Sequence, residues 1–191
     1  MRDVERSHIG IIVGSTRPGR RAEAVARWVH GEATAHVNAA RFEVLDLADF
    51  ELPLLDEPRP AAEGDYRNAA TRTWARAVSR CDGFVFVTPE YNHSTSAALK
   101  NAIDYLFTEW NHKAAGFVSY GVQGGWRASD HLRAVLAELH VADVRTAVGL
   151  SLFTDFAGDC VRPAPHHAVA LRKMVGEVVV WSDALASVRA R

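Results

Sequence analysis

Apolar positions along the chain switch between two periods. His8 to Val13 is an apolar, β-branched run, and Ala22, Val25, Ala26, Val29 and Ala33 then recur at the spacing of one helix face. Phe42 to Leu47 reads as a second strand. The loop after it carries Pro53, Pro58 and Pro60, which neither a helix interior nor a central strand accommodates. Tyr66, Ala70, Trp74, Ala77 and Val78 mark a second helix and Phe84 to Val87 a third strand. Ala98, Leu99, Ala102, Ile103, Leu106 and Phe107 mark a third helix, and Ala114 to Tyr120 a fourth strand. Leu132, Val135, Leu136 and Leu139 face one way on a fourth helix. Val144 to Leu152 is a fifth strand, irregular at its start. Leu171, Val175, Val178 and Leu185 mark a last helix beyond the breaker Pro163-Ala164-Pro165. Five strand–helix units with near-continuous apolar strands predict an α/β parallel sheet covered on both faces. No repeat, low-complexity segment or linker appears, so residues 1–191 are expected to form one domain.

Composition narrows the function classes. At 48% hydrophobic the chain buries a sizeable core, and 22 basic against 23 acidic residues leave a net charge of −1. That balance supplies no concentrated basic face, so nucleic acid is not an expected partner. No apolar run is long enough to span a membrane. The charged residues Arg2, Asp3, Glu5 and Arg6 run straight into the first strand, with no visible signal peptide. Two cysteines make neither a disulfide framework nor a neighbouring-cysteine metal motif, which points to a reducing cytoplasm. Cys81 is expected in the core or at its boundary and Cys160 in an exposed loop. Arg189 and Arg191 read as a solvated helix end.

Three polar loops follow buried strands, at the edge where open α/β sheets bind ligands. Gly14-Ser15-Thr16-Arg17-Pro18-Gly19-Arg20 joins the first strand to the first helix. Its glycines allow amide N–H groups to converge on an anion, the helix start adds partial positive charge, and Ser15, Thr16, Arg17 and Arg20 add donors. This is a phosphate cradle in kind, or else a capped tight turn with exposed arginines. It lacks the Rossmann glycine spacing. It lacks also the lysine and hydroxyl of a P-loop, since Arg20 and Arg21 stand there, which counts against nucleotide hydrolysis.

The second loop, Thr88-Pro89-Glu90-Tyr91-Asn92-His93-Ser94, offers a restrained backbone, an aromatic face at Tyr91 and a donor–acceptor at Asn92. Asn92 or Ser94 also suits the cap of the third helix. Glu90 with His93 makes too small a ligand set for a metal, and no metal is expected. The third loop, Ser119-Tyr120-Gly121-Val122-Gln123-Gly124-Gly125, permits close backbone approach to a planar ligand, or forms a flexible turn. Ser119 lacks a nucleophile elbow, so a hydrolase is not expected. His166-His167 and Arg162 read as surface.

These residues resemble the NAD(P)H-dependent FMN reductases, a family of flavodoxin-like proteins. The similarity runs from about Ile9 to Leu152. It rests on the motifs at 14–20 and 88–94, extended by Leu99-Lys100-Asn101-Ala102-Ile103-Asp104 and Ser119-Tyr120-Gly121. It implies a doubly wound five-stranded sheet of order 2-1-3-4-5 with helices on both faces. It also implies that Ser15, Arg17 and Arg20 hold the FMN phosphate, that Pro89, Glu90, Tyr91 and Asn92 line the isoalloxazine, and that Ser119, Tyr120 and Gly121 flank the ring or ribityl chain. Val122 stands where many relatives have a second glycine. FMN rather than FAD follows from one phosphate cradle with no second nucleotide site.

The activity implied is two-electron, ping-pong transfer from NADPH or NADH through FMN to a small acceptor: free flavin, a quinone, an azo compound or a metal ion. No catalytic acid or base is assigned, because the cofactor carries the chemistry. Members of the family usually form homodimers or homotetramers. Tyr105, Leu106, Phe107 and Trp110 serve either such an interface or the core. The alternative is a flavodoxin-like electron carrier that is not an enzyme. Flavodoxins are strongly acidic, and the near-balanced charge here argues against that reading.

Overall fold

The computed structural model describes residues 6–190; Arg2, Asp3, Glu5 and Arg191 lie outside the described residues. Strands and helices alternate as β1 (Ser7–Val13), α1 (Ala22–His36), β2 (Ala40–Asp46), α2 (Ala69–Ser79), β3 (Gly83–Pro89), α3 (Ala97–Asp104), β4 (Ala114–Gly121), α4 (Trp126–Glu138) and β5 (Ala142–Ser151). A hairpin of β6 (Phe156–Ala157) and β7 (Cys160–Val161) then precedes the long α5 (Pro165–Arg189). The five principal strands form one sheet in the order β2-β1-β3-β4-β5, parallel at every pairing. This is the flavodoxin-like arrangement.

Helices on both faces explain why β1, β3 and β4 are buried at every position. On one face α1 and α5 press Val25, Val29, Leu171 and Val175 against Ile9, Ile11, Val85 and Val118. On the other, α2, α3 and α4 set Trp74, Ile103 and Leu132 against Ile12, Phe84, Phe86 and Phe117. α5 crosses β4 so closely that a β-carbon on Gly116 would lie 3.0 Å from both Met174 Cγ and Val178 Cγ2. The expected irregularity at the start of the fifth strand is present. Ala115 pairs with Asp143 but Phe117 with Ala147, so the register jumps.

Three expectations are corrected. Tyr66 precedes α2 instead of belonging to it, and its hydroxyl donates to Glu109 at 2.7 Å. α3 ends at Asp104, and Tyr105, Leu106 and Trp110 turn inward and are fully buried. Trp110 donates from Nε1 to the Ile103 carbonyl at 3.1 Å and meets Trp74, Phe84 and Phe86 with ring centroids 5.0–6.0 Å apart. Those three residues are core, and only Phe107 stays partly exposed. Arg189 is no solvated helix end: it donates to the Asp82 carboxylate at 2.7 Å and the His112 carbonyl at 2.9 Å. Cys81 is buried and Cys160 exposed, as expected. Among the described residues, no helix is long and apolar enough to cross a membrane.

Lys113, just before β4, is 5% exposed and donates from Nζ to the Val78 and Ser79 carbonyls at the end of α2, at 2.8 and 3.3 Å. Burial pushes its ammonium down to about 8 from an ordinary 10.5. Between those pH values the unfolded chain holds a proton that the folded chain has released, so this residue's contribution to stability rises with pH. Relative to Lys113→Met, the parent is expected to gain on the order of 3 kcal/mol across that window. Denaturant midpoints of both proteins measured from pH 7.5 to 10.5 check this; a pH-independent difference contradicts it.

Candidate functional site

The exits of β1, β3 and β4 meet at one edge of the sheet, beside the point where the strand order reverses. Gly14 begins the first loop. Its N–H donates to the Val87 carbonyl at 2.8 Å, and a β-carbon there would lie 2.6 Å from that oxygen and 2.8 Å from Leu99 Cδ2. Only glycine lets the chain leave β1 by this route. The Ser96 hydroxyl donates to the Gly14 carbonyl and accepts from Leu99 N–H at 3.1 Å, so Ser96 caps α3 in place of the expected Asn92 or Ser94. At the far end of the loop α1 starts without a side-chain cap. Its first-turn N–H groups and positive dipole end are therefore left for an outside partner.

The side chains of this loop separate by role. Ser15 is buried, with its hydroxyl 3.2 Å from that of Tyr91. Thr16 and Arg17 are exposed. Arg20 is mostly buried and pairs with Asp46 and Glu23, each at 2.7 Å. The guanidinium carbon of Arg21 lies 5.1 Å from the centre of the Phe156 ring.

The loop after β3 is fastened on all sides. Pro89 is buried and Glu90 N–H donates to the Tyr120 carbonyl at 2.8 Å. The Glu90 carboxylate accepts from the Arg127 guanidinium at 3.0 Å. Tyr91 and Ser94 exchange backbone hydrogen bonds of 2.9 and 3.0 Å around Asn92 and His93, whose φ values are +50° and +70°. Two successive positive φ values make a type I′ turn, a conformation in which asparagine and histidine are enriched. Thr88 and Thr95 hydroxyls, 2.8 Å apart, close the base of the loop.

After β4, Ser119 is fully buried and donates to the Gly124 carbonyl at 2.8 Å. Its hydroxyl holds the 121–125 turn. Tyr120 and Gly121 reach the opening.

Between these loops lies a cleft of about 300 Å³. Arg17, Arg20 and Arg21 line it together with Pro89, Glu90, Tyr91, Tyr120 and Gly121. Burial pushes the Tyr120 phenol up, as does neighbouring Tyr91, while the charges of Arg17, Arg21 and Arg20 pull it back. Of the residues expected from sequence, Ser15 meets the cleft through Tyr91, and Asn92 and Ser119 do not line it.

Arg21, Leu152 and Asp159 line the cleft without having been singled out from sequence. Asp159 sits in the two-residue turn Gly158-Asp159 of the β6–β7 hairpin, with Gly158 at φ +60°. A glycine–aspartate pair between short strands is itself a hairpin signal. His166 is exposed, but His167 is not a surface residue: its Nε2 lies 3.3 Å from the carboxylate of Asp155, which is 3% exposed.

Among the described residues, one grouping has metal-ligand spacing: His8, Glu43 and Cys81 at the opposite end of the sheet, where Arg80 already occupies Glu43. The donor set of the cleft is different. Three arginines beside a helix start without a side-chain cap, in one cleft with tyrosine, proline and glycine, fit a phosphate ester of a planar ring.

The family model for NADPH-dependent FMN reductase matches residues 7–155. An NAD(P)H-dependent FMN reductase of Schizosaccharomyces pombe is 36% identical over 170 residues, covering 88% of this chain and 83% of the relative. A quinone reductase of Escherichia coli is 36% identical over 143 residues, covering 71% and 72%. Among solved structures, the flavoenzyme NAD(P)H:(acceptor) oxidoreductase FerB of Paracoccus denitrificans superposes with a TM-score of 0.71 at 21% identity, covering 93% of this chain and 97% of its own. The chain belongs to the NADPH-dependent FMN reductase family, oxidoreductases that work with FMN and NAD(P)H.

Proposed function

We propose that this FMN-dependent enzyme passes two electrons from NAD(P)H to a small, flat acceptor of the quinone class. One observation carries the reading: a single cleft is lined both by the arginines at the start of α1 and by Pro89–Tyr91 and Tyr120–Gly121. FMN, when bound, supplies the two-electron redox chemistry. The chain binds, orients and shields it. Ser15 and Arg17 would take the phosphate together with the first N–H groups of α1, with Arg20 beside them, its charge offset by Asp46 and Glu23. Pro89, Glu90 and Tyr91, with Tyr120 and Gly121, would border the ring, while Asn92, outside the cleft, tips the turn that holds Tyr91. Ser119 acts from behind by fixing the turn at Gly124. Arg127 holds Glu90 against the start of α4. The wall is therefore set before any ligand arrives, which lowers the ordering cost of binding.

The mouth favours an apolar acceptor. Immediately beyond Gly121 and Leu152 the chain presents Val122 and Phe153, both exposed. The Escherichia coli relative carries the name quinone reductase. Exposed Val169, Val180 and Trp181 on α5 offer apolar surface for a second copy, in keeping with a homodimer or homotetramer. Both cysteines are free thiols, in keeping with the cytoplasm.

Two measurements test this reading. FMN-loaded protein mixed anaerobically with NADPH, then with NADH, is expected to lose its visible absorbance, and a water-soluble quinone is expected to restore it within the turnover time. Restoration by molecular oxygen or free FMN but never by quinones would refute the acceptor class. Separately, Arg17→Ala should stay folded and lose roughly 1.5–3 kcal/mol of FMN binding, about ten- to over a hundredfold in affinity. An unchanged FMN dissociation constant in the folded variant contradicts the role given to Arg17.

A further inference from the structure

Arg20 and Arg21 are neighbours in sequence and part company in the structure. Arg20 turns to two carboxylates, Asp46 and Glu23, which neutralise it. Arg21 rests on the face of Phe156, and the same ring packs on Tyr120 with centroids 5.9 Å apart. Arg21 and Asp159 both line the cleft. Phe156 and Asp159 belong to the β6–β7 hairpin, which begins just after residue 155, where the match to the family ends.

An aromatic face and a carboxylate hold a guanidinium in different ways. A carboxylate cancels its charge and consumes its in-plane N–H donors. A ring beneath the plane attracts the cation through its quadrupole, yet leaves the net charge and the edge donors free. A stacked arginine is thus fixed in place and still fully able to bind an anion. We propose that Arg21, mounted on Phe156, is a second guanidinium ligand for the FMN phosphate beside Arg17, and that the β6–β7 hairpin is the element that aims it. The proposal rests on the FMN site described above and adds to it a residue pair and a structural element.

The base of the hairpin is built to keep Phe156 in position. The Asp155 carboxylate accepts from Ser151 N–H at 2.9 Å and Ala164 N–H at 3.3 Å, while its carbonyl accepts from Arg162 N–H at 2.8 Å. These bonds tie the strand entering the hairpin to the chain leaving it. His167 lies against the same carboxylate. Phe156 follows directly, so its ring is placed by a closed loop and not by a free tail.

Riboflavin, which has the ring and ribityl chain but no phosphate, separates this role from general packing. FMN and riboflavin are titrated by fluorescence, directly and in competition, against the parent, Arg21→Ala, Phe156→Leu, Phe156→Tyr and the Arg21→Ala/Phe156→Leu pair. FMN affinity is expected to fall about tenfold or more in Arg21→Ala and about three- to tenfold in Phe156→Leu. Riboflavin affinity should stay at the parent value in both. Phe156→Tyr should restore FMN binding, and the pair should be no weaker than Arg21→Ala alone, because one substitution acts through the other. Equal losses for FMN and riboflavin in Phe156→Leu, or an unchanged FMN affinity in Arg21→Ala, overturn the proposal. Should Phe156→Leu not fold, the FMN-selective loss in Arg21→Ala with retention in Phe156→Tyr still decides. A parent that binds neither flavin refutes the underlying FMN site instead.

Discussion

The junction at Gly14 joins β1, β3 and α3 within a few ångströms. One backbone N–H reaches across to β3, one carbonyl receives the serine that caps α3, and no side chain fits between. Because the strands are parallel, every loop leaving a strand's carboxyl end appears at the same edge. The junction then sets how closely the first two of those loops approach. The loop into α1 and the loop after β3 are thereby kept at a fixed separation, held by two hydrogen bonds and the close approach of Leu99. The cleft is a consequence of packing in the core beneath it.

Charge in the cleft is distributed with the same economy. Three arginines occur within five residues, but they are not equivalent donors. Arg20 is held by Asp46 at the carboxyl end of β2, so the edge strand reaches into the site only through an ion pair. Its charge is largely spent locally, whereas Arg17 is exposed and Arg21 lies on an aromatic ring. A partly buried cation with two acidic partners acts on its surroundings mainly as a dipole, and the field at the cleft is set by the two that lack them.

Much of the sheet was legible from sequence because burial on two faces leaves long apolar strands bounded by glycine and proline. Strand order was not encoded in that pattern and came from family resemblance. The loops around the cleft were legible because glycine and proline punctuate the strand ends there, and at Gly14 no other residue fits the path of the chain. Asn92 and Ser119 were expected at the cleft from family resemblance, but one tips a turn and the other braces it. Tyr105, Leu106 and Trp110 looked exposed because α3 was read three residues too long; once the helix stops at Asp104 the chain turns them inward. Arg189 and His167 read as surface because their partners, Asp82 and Asp155, lie far away or in a hairpin too short to show a strand pattern.

The closeness of α5 to β4 bears on how the protein is made. Leu171, Met174, Val175 and Val178 complete the face of the sheet that α1 covers in part, and they are synthesised after every strand of it. Until that helix emerges, Val118 and Val148 lack its cover, although the strands that carry them have already been synthesised. Uncovered apolar strands invite association between nascent chains. The order of synthesis therefore makes the docking of α5 the step that closes this face, and a chaperone that shields it would act in the interval before that helix arrives.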